Sequence, residues 1–152
     1  MTNKVYLDAN VLISHQVSEH KYHLRAVKIL DELWEKQTIL VVSSLTLDEV
    51  FYGIIFILQQ FQKDKKGVPF SSYAQILEKV IGNILSWNKL ELVEFRNNPV
   101  ELLETIKIIK KYNFRPRDAF HLRIAEQNEI QKIATFDLDF ACLENAGIKI
   151  IS

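Results

Sequence analysis

The sequence predicts an α/β fold in which helices cover both faces of a central, mostly parallel sheet. Short runs rich in β-branched residues alternate along the chain with amphipathic helical segments, and this alternation is typical of parallel sheets. The run from Ile39 to Val42 contains no polar residue, as expected for a strand buried on both faces. The length of 152 residues suits one domain. We therefore predict a single domain over 1–152.

In the first half of the chain, apolar spacing and capping residues define the elements. Leu24, Leu30 and Leu33 recur at helical spacing within the segment 19–36. Ser43 or Ser44 can cap the helix that follows the second strand. The predicted elements are a strand at 4–7, a short helix from Ala9, a long helix at 19–36, a strand at 39–42 and a helix that runs toward Phe61.

In the second half, the clearest break is the charged segment 63–69, which ends in Gly and Pro. Neither half looks complete alone, so this segment is predicted to be a loop within one domain. Beyond it, the predicted elements are a helix at 73–85, a strand at 90–93, a helix around 102–109, a helix opened by Asp118, a strand at 132–135, a turn at Asp137 and a last strand at 148–151.

Composition excludes several classes of protein. The single cysteine, Cys142, excludes an intrachain disulfide and a cysteine-based zinc cluster, and we expect it to be a small buried apolar side chain in a protein of the reducing cytoplasm. No signal peptide is expected, because the N-terminus runs directly into a predicted core strand. The longest apolar stretch, near 54–58, is too short to span a bilayer.

The formal net charge is zero, which argues against a strongly basic nucleic-acid binder. A local group of four cations, in which Arg115 and Arg117 are the last two, interrupts this balance near 110–117. Such a run is most often a solvated face, and a phosphate-binding patch is the second interpretation.

Four acids, Asp8, Glu49, Asp118 and Asp137, lie where predicted strands give way to helices or turns. In an open parallel sheet the carboxyl ends of the strands form one edge, where ligands bind. Acids that converge there repel one another unless a cation neutralises them, and hard divalent cations prefer oxygen ligands. The sequence therefore predicts a Mg²⁺ or Mn²⁺ site, suited to phosphodiester hydrolysis.

Each acid also has a simpler interpretation. Asp8 and Asp118 can cap helices, Asp137 can form a turn, and Glu49 can be an ordinary solvated residue. The recurrence of acids at strand ends favours the site. Three neighbours can assist it: Asn10 and Thr135 can orient a carboxylate or water without adding charge, and Asp139 lies near Asp137.

Four segments in order resemble the motifs of PIN-domain ribonucleases. They are Val5–Ile13 with Asp8, Val42–Val50 with Glu49, Arg117–Leu122 with Asp118, and Ala134–Phe140 with Asp137. The ending at Gly147–Ile148, followed by an apolar strand, also resembles the family. The resemblance covers essentially the whole chain.

The resemblance implies a Rossmann-like PIN fold and a Mg²⁺- or Mn²⁺-dependent endoribonuclease acting on RNA. Small members of this kind are often VapC-like toxins that form homodimers and are inhibited by a cognate antitoxin protein. By the same resemblance, the four acids are the catalytic and metal-binding residues. Asn10 and Thr135 are supporting groups, and Asp139 is a less certain contributor.

Two further expectations concern partner contacts. The segment 54–70 is longer and more apolar than a minimal PIN domain needs, which favours a helical arm for dimer or antitoxin contacts over a deeper core. Arg115 and Arg117 are candidates for phosphate contacts. A structural ion pair is the rival interpretation of Arg117.

Other classes of function remain as alternatives. A PIN-like scaffold that binds RNA or protein without cutting has no need to hold four acids together. A phosphatase of the haloacid-dehalogenase type needs a second Asp where this chain has Asn10, and a receiver domain needs a late Lys where this chain continues from Thr135 to Asp137. His121 lies one helical turn after Asp118 and can approach the site, although packing is the favoured interpretation. His20 and His23 are expected to be surface residues.

Overall fold

The computed structural model describes residues 3–62 and 67–152, which contain a five-stranded sheet with all strands parallel. The strands are β1 (Lys4–Leu7), β2 (Ile39–Ser43), β3 (Leu90–Val93), β4 (Lys132–Ala134) and β5 (Lys149–Ile151). The helices are α1 (Ala9–Gln16), α2 (His23–Glu35), α3 (Ser44–Gln60), α4 (Ala74–Leu85), α5 (Pro99–Tyr112) and α6 (Pro116–Gln127), with 3₁₀ helices at Phe70–Tyr73 and Leu138–Ala146. The predicted α/β class is confirmed.

The strand order in the sheet is β3-β2-β1-β4-β5. The side of the sheet on which successive strands are added changes between β1 and β4. Chain progression runs outward from β1 through β2 to β3 on one side, and from β4 to β5 on the other. In doubly wound sheets the crevice at such a reversal, beyond the carboxyl ends of the strands, is where ligands bind. The topology therefore places the ends of β1 and β4 at the centre of the expected site.

Helices bury both faces of the sheet. Val5 and Leu7 belong to a core with α1 to α4, whereas Tyr6 between them belongs to a second core with α5 and α6. This alternation is the two-residue period of a strand. Both faces are covered by apolar side chains, which explains why the central strands read as continuous apolar runs.

The start of α2 differs from the prediction. The helix begins at His23 rather than Glu19, because turns occupy the preceding residues. The His20 N–H donates to the Val17 carbonyl, and the Tyr22 N–H donates to the His20 ring nitrogen. Leu24, assigned to the helix from its spacing, is 82% exposed. The spacing of apolar residues therefore placed the start of this helix too early in the chain.

Two further predictions, for Cys142 and for the segment 54–70, agree with the structure only in part or not at all. Cys142 is exposed rather than buried, with its thiol directed at the Asp139 carbonyl at 3.4 Å. The segment 54–70 divides between the two interpretations: Ile54 packs in the core, while Phe56 and Phe61 are exposed. Residues 63–66 of the predicted loop lie outside the described residues.

Among the described residues, no helix combines the length and apolar character needed to cross a bilayer.

Candidate active site

The four predicted acids line one open pocket of about 410 Å³ at the carboxyl edge of the sheet. Asp8 follows β1, Asp137 follows β4, and Glu49 lies in the second turn of α3. Asp118 reaches the pocket from α6, which no strand directly precedes, so its predicted place at a strand end is wrong. Asn113 at φ 55° turns the chain from α5 into α6 and brings that helix start to the edge.

Asp8 is held on three sides. Its Oδ1 accepts from the Ala9 N–H at 2.8 Å, and its Oδ2 accepts from Thr135 Oγ1 at 2.6 Å and Asn10 Nδ2 at 2.8 Å. The carboxylate therefore caps α1 and faces the pocket at once. Burial raises the pKa of Asp8, while His121 and the Thr135 hydroxyl oppose that rise.

The Thr135 hydroxyl joins the ends of the two central strands. It donates to Asp8 and accepts from the Asp137 N–H at 3.0 Å and from Asn10 Nδ2 at 3.1 Å. Asn10 Oδ1 accepts from the Phe136 N–H at 3.0 Å. These bonds fix Asp8 relative to the loop after β4, a geometry that suits the orienting roles predicted for Asn10 and Thr135.

Glu49 is positioned by a histidine for which packing was the favoured interpretation. Buried His121 lies 2.7 Å from Glu49 Oε2 through Nε2 and 2.7 Å from the Tyr6 hydroxyl through Nδ1. The Tyr6 hydroxyl lies 2.7 Å from Ser43 Oγ and 3.1 Å from Thr46 Oγ1. The ligand atoms of Asp8, Glu49 and His121 all lie within 4.8 Å of one another.

A sequence signal for His121 did exist. It lies three residues after Asp118 on α6, and residues three apart share a helix face. Its expected packing role was incomplete, because packing does not account for two hydrogen bonds from one buried ring.

The second group of acids contains Asp118, Asp137 and Asp139, whose carboxylate oxygens also lie within 4.8 Å of one another. Asp137 accepts from the Asp139 N–H at 2.9 Å and so caps the following 3₁₀ helix, as the turn interpretation expected. Asp118 is not a helix cap, because α6 begins at Pro116 with Arg115 in the capping position. Asp139 is exposed and lies at the margin.

Asp118 has the carboxylate oxygen that most needs a positively charged partner. Its Oδ2 is buried and has no hydrogen-bond partner among the described residues. Burial, followed by the charges of Asp137 and Asp8, raises the pKa of Asp118. A buried carboxylate oxygen without a partner is costly, and a cation placed among these acids would remove that cost. The oxygen-rich donor set fits Mg²⁺ or Mn²⁺.

Two arginines line the same pocket. Arg117 lies 3.5 Å from Glu49 Oε1 and 3.9 Å from Asp48 Oδ2. The rival interpretation of Arg117, an ion pair within the acid cluster, therefore matches its position. Arg115 lines the pocket at the start of α6 and partly offsets the raised pKa of Asp118.

The parallel α/β fold and the acid-lined pocket at its strand reversal define a doubly wound protein with a ligand site at the carboxyl edge of its sheet. The PIN domain family model matches residues 5–145, so the chain belongs to the PIN domain family. The resemblance seen in the four sequence motifs is thereby confirmed.

Several known proteins are similar over nearly the full length. Ribonuclease VapC6 of Methanocaldococcus jannaschii is 24% identical over 144 residues, an alignment that covers 91% of each chain. The crystal structure of Mycobacterium tuberculosis VapC20, a Sarcin-Ricin loop cleaving toxin, matches with a TM-score of 0.62 at 15% identity, covering 95% of each chain. A toxin-antitoxin complex from Klebsiella pneumoniae matches with a TM-score of 0.55 at 14% identity, covering 97% of this chain and 96% of that one. The structural matches show a shared fold.

Proposed function

We propose that this protein is a Mg²⁺- or Mn²⁺-dependent endoribonuclease and the toxin of a toxin–antitoxin pair in the cytoplasm. The observation that carries the proposal is the buried, unpartnered Asp118 Oδ2 beside Asp8 and Asp137. Residues 1–152 would form one PIN-like domain. The similarity to Ribonuclease VapC6 supports the reaction class.

Asp8, Glu49, Asp118 and Asp137 would hold the metal. When bound, a divalent ion supplies a hydroxide-like nucleophile at neutral pH and stabilises charge on the transferred phosphoryl group. Carboxylates suit this task because they are ionised and bind hard cations.

The remaining residues would position the acids and the RNA. Thr135 and Asn10 hold Asp8 in one orientation, and His121 holds Glu49. Such partners of metal ligands commonly change metal affinity when they are mutated. Arg115 is the better candidate for a phosphate contact, because Arg117 is close to two carboxylates.

The proposed partners are RNA, a cognate antitoxin and a second copy of the chain. A similar fold occurs in a toxin-antitoxin complex, which supports the antitoxin. Exposed apolar side chains on α3 and α5 offer surfaces for protein contacts.

The second candidate function is a catalytically inactive PIN-like scaffold that binds RNA or protein. The acid pocket argues against it, because four converging carboxylates without a metal destabilise the fold by repulsion. The scaffold interpretation would be favoured if the protein cut no RNA, whether or not the pocket held a divalent cation.

The test is cleavage of a mixed pool of structured RNAs by the purified protein with Mg²⁺ or Mn²⁺, with EDTA, and as Asp8→Asn. We expect discrete cuts that require metal, and a loss of about 100-fold or more in Asp8→Asn, because metal stabilisation of the transition state is worth several kcal/mol. Asn caps helices as well as Asp does, so the variant should fold normally.

The matched control is Asp31→Asn, which removes an exposed carboxylate from α2 outside the pocket and should cut at the wild-type rate. Thermal unfolding with and without Mg²⁺ provides a second readout, since a ligand that binds only the folded state raises its stability. Cleavage that persists in EDTA or in Asp8→Asn would contradict the metal-dependent mechanism. Stabilisation by metal without cleavage of any RNA would support the scaffold.

A further inference from the structure

A second pocket, of about 270 Å³, adjoins the acid pocket and shares Asp137 with it. Tyr22 and Arg25, from the turn before α2 and from its first part, form one side. Phe136 and Leu138, which follow β4, form the other side. The pocket therefore lies on the same edge of the sheet as the acids. Nothing in the proposed cleavage chemistry uses these four side chains.

The pocket contains an aromatic pair flanked by cations. The ring centroids of Tyr22 and Phe136 are 5.0 Å apart at an interplanar angle of 40°. The Lys21 ammonium lies 4.7 Å from the Tyr22 centroid, and the Arg25 guanidinium carbon lies 5.5 Å from the Phe136 centroid. Unstacked RNA bases are bound on aromatic rings and on arginine planes, and nearby cations favour the RNA backbone.

The wall of this pocket is tied to the acid site by hydrogen bonds. The Phe136 N–H donates to Asn10, and the Asp137 N–H donates to Thr135, whose hydroxyl donates to Asp8. A base held against Phe136 is therefore fixed relative to Asp8. Such fixed placement is what a positioning subsite needs, because small displacements at a reacting centre are costly.

Size and polarity favour a single base. Pockets that enclose drug-sized ligands span roughly 300–1,000 Å³, so this one is slightly smaller. Glu144 and Arg25 line it and offer an acceptor and a donor. Base edges carry amino groups and ring acceptors that pair with such groups.

We propose that this pocket, defined by Tyr22, Arg25, Phe136 and Leu138, binds one unstacked base of an RNA strand whose backbone crosses the acid pocket. Its role in cleavage rests on the proposed nuclease function. Base binding itself requires neither metal nor cleavage. The pocket selects and positions the RNA by a base beside the cut.

The first experiment probes base binding without phosphate or metal. Aromatic resonances of the full chain are followed by NMR in EDTA while adenosine, guanosine, cytidine or uridine is added. The expected result is a saturable shift of the Tyr22 and Phe136 ring signals with at least one nucleoside. Trp34 and Trp87 line a different pocket and should not shift. Tyr22→Leu should abolish the shift of the Phe136 signals, whereas Tyr22→Phe, which keeps the aromatic face, should retain it.

The second experiment measures the bases that flank the cut sites in a random RNA pool with Mg²⁺ or Mn²⁺. In Tyr22→Leu, the preference at one flanking position should fall by about five-fold or more, the lower end of one lost stacking contact. Arg25→Ala should weaken cleavage, whereas Lys28→Ala, which removes an exposed cation further along α2, should not. Metal titration should be unchanged in Tyr22→Leu, because Tyr22 does not line the acid pocket.

The base-pocket proposal and the nuclease proposal can be contradicted independently of each other. Metal-dependent cleavage with unaltered base preference in Tyr22→Leu, and no nucleoside shift at Tyr22 or Phe136, would overturn the base pocket and leave the nuclease standing. Nucleoside shifts that Tyr22→Leu abolishes, in a protein that cuts no RNA, would support the pocket and overturn the nuclease.

Discussion

The Thr135 hydroxyl determines how Asp8 is presented to the pocket. This fully buried group donates to Asp8 Oδ2 at 2.6 Å and accepts from the Asp137 N–H at 3.0 Å. Thr135→Val keeps the shape of the side chain but removes both bonds and the one from Asn10 Nδ2. We expect the affinity for Mg²⁺ or Mn²⁺ to fall by about 10- to 100-fold, the usual effect of losing a group that orients a metal ligand, as measured by titration calorimetry.

Thr105→Val is the matched control for this prediction. Thr105 is equally buried, but its hydroxyl bonds the Glu101 carbonyl within α5, away from the acids. Its replacement should leave metal affinity unchanged. Equal affinity in wild type and Thr135→Val would show that Asp8 does not need the hydroxyl.

Residue types at strand ends made much of the pocket predictable. Asp8 directly follows β1 and Asp137 lies in the loop after β4, and parallel strands bring their carboxyl ends to one edge. The partners of His121 were not predictable in the same way. Its partners, Glu49 and Tyr6, lie 72 and 115 residues away in the chain, and helical periodicity does not reveal contacts between distant segments.

Among the helices, α1 and α2 meet the turn after α4 at a cluster of rings. His15 on α1 lies edge-on to Trp34 and Trp87, with ring centroids at 6.1 and 5.3 Å. Burial, followed by the charge of His23, lowers the pKa of His15, and Asp31 opposes this only in part. The cluster therefore favours neutral His15, whereas the unfolded chain protonates it near its ordinary pKa of 6.5.

This difference gives the cluster a pH dependence with a definite sign. Between pH 6.5 and its lowered pKa in the folded state, His15 binds more protons in the unfolded state, so its contribution to the free energy of unfolding falls as the pH is lowered. We expect His15→Gln, which cannot titrate, to show a shallower fall between pH 7 and pH 5. Urea unfolding across that range measures the slope.

The same variant at pH 8 supplies the control, because His15 is then neutral in both the folded and the unfolded state and only the lost packing is measured. His20 also has a lowered pKa, chiefly from burial, so a residual slope is expected. Parallel curves for wild type and His15→Gln would assign the acid sensitivity to other groups.

Element boundaries were predictable where capping was local. Ser43 caps α3 through the Thr46 N–H at 3.1 Å, as its position before the helix indicated. The start of α2 was not predictable. Backbone hydrogen bonds at Val17 and His20 form turns where the spacing of apolar residues had predicted the first part of the helix. Periodicity specifies which face is apolar, and it does not specify where the first turn begins.

At the scale of the whole molecule, alternation of strands and helices predicted the parallel sheet, and the resemblance to PIN domains implied its Rossmann-like arrangement. The strand register and the partition of side chains between two cores depend on contacts between distant strands. For example, Tyr6 pairs with both Val41 and Ile133. Alternation alone does not order the strands, because several right-handed arrangements satisfy it.

The outer surface carries an apolar stripe on α5 that suits a second copy of the chain. Val100, Leu103 and Ile106 are 65%, 60% and 59% exposed at three-residue spacing, and Leu92 on the edge strand β3 is 57% exposed. A two-fold dimer needs one self-complementary face. The α5 stripe offers one continuous apolar face for this purpose, whereas the end of α3 adjoins residues 63–66, which the structure does not describe.

We therefore predict a homodimer through the α5 stripe, with a sedimentation mass of twice the 17.8 kDa chain. Leu103→Glu should return the protein to the monomer mass, because a charge without a partner in an apolar interface is costly. Leu24→Glu, at an 82% exposed apolar residue on α2, is the matched control and should remain dimeric.

A monomeric wild type would contradict the homodimer. Dissociation by Phe56→Glu instead of Leu103→Glu would place the dimer contact on α3. Because the acids of each chain lie in that chain's own pocket, metal binding in Leu103→Glu should equal that of the wild type even where the dimer is lost.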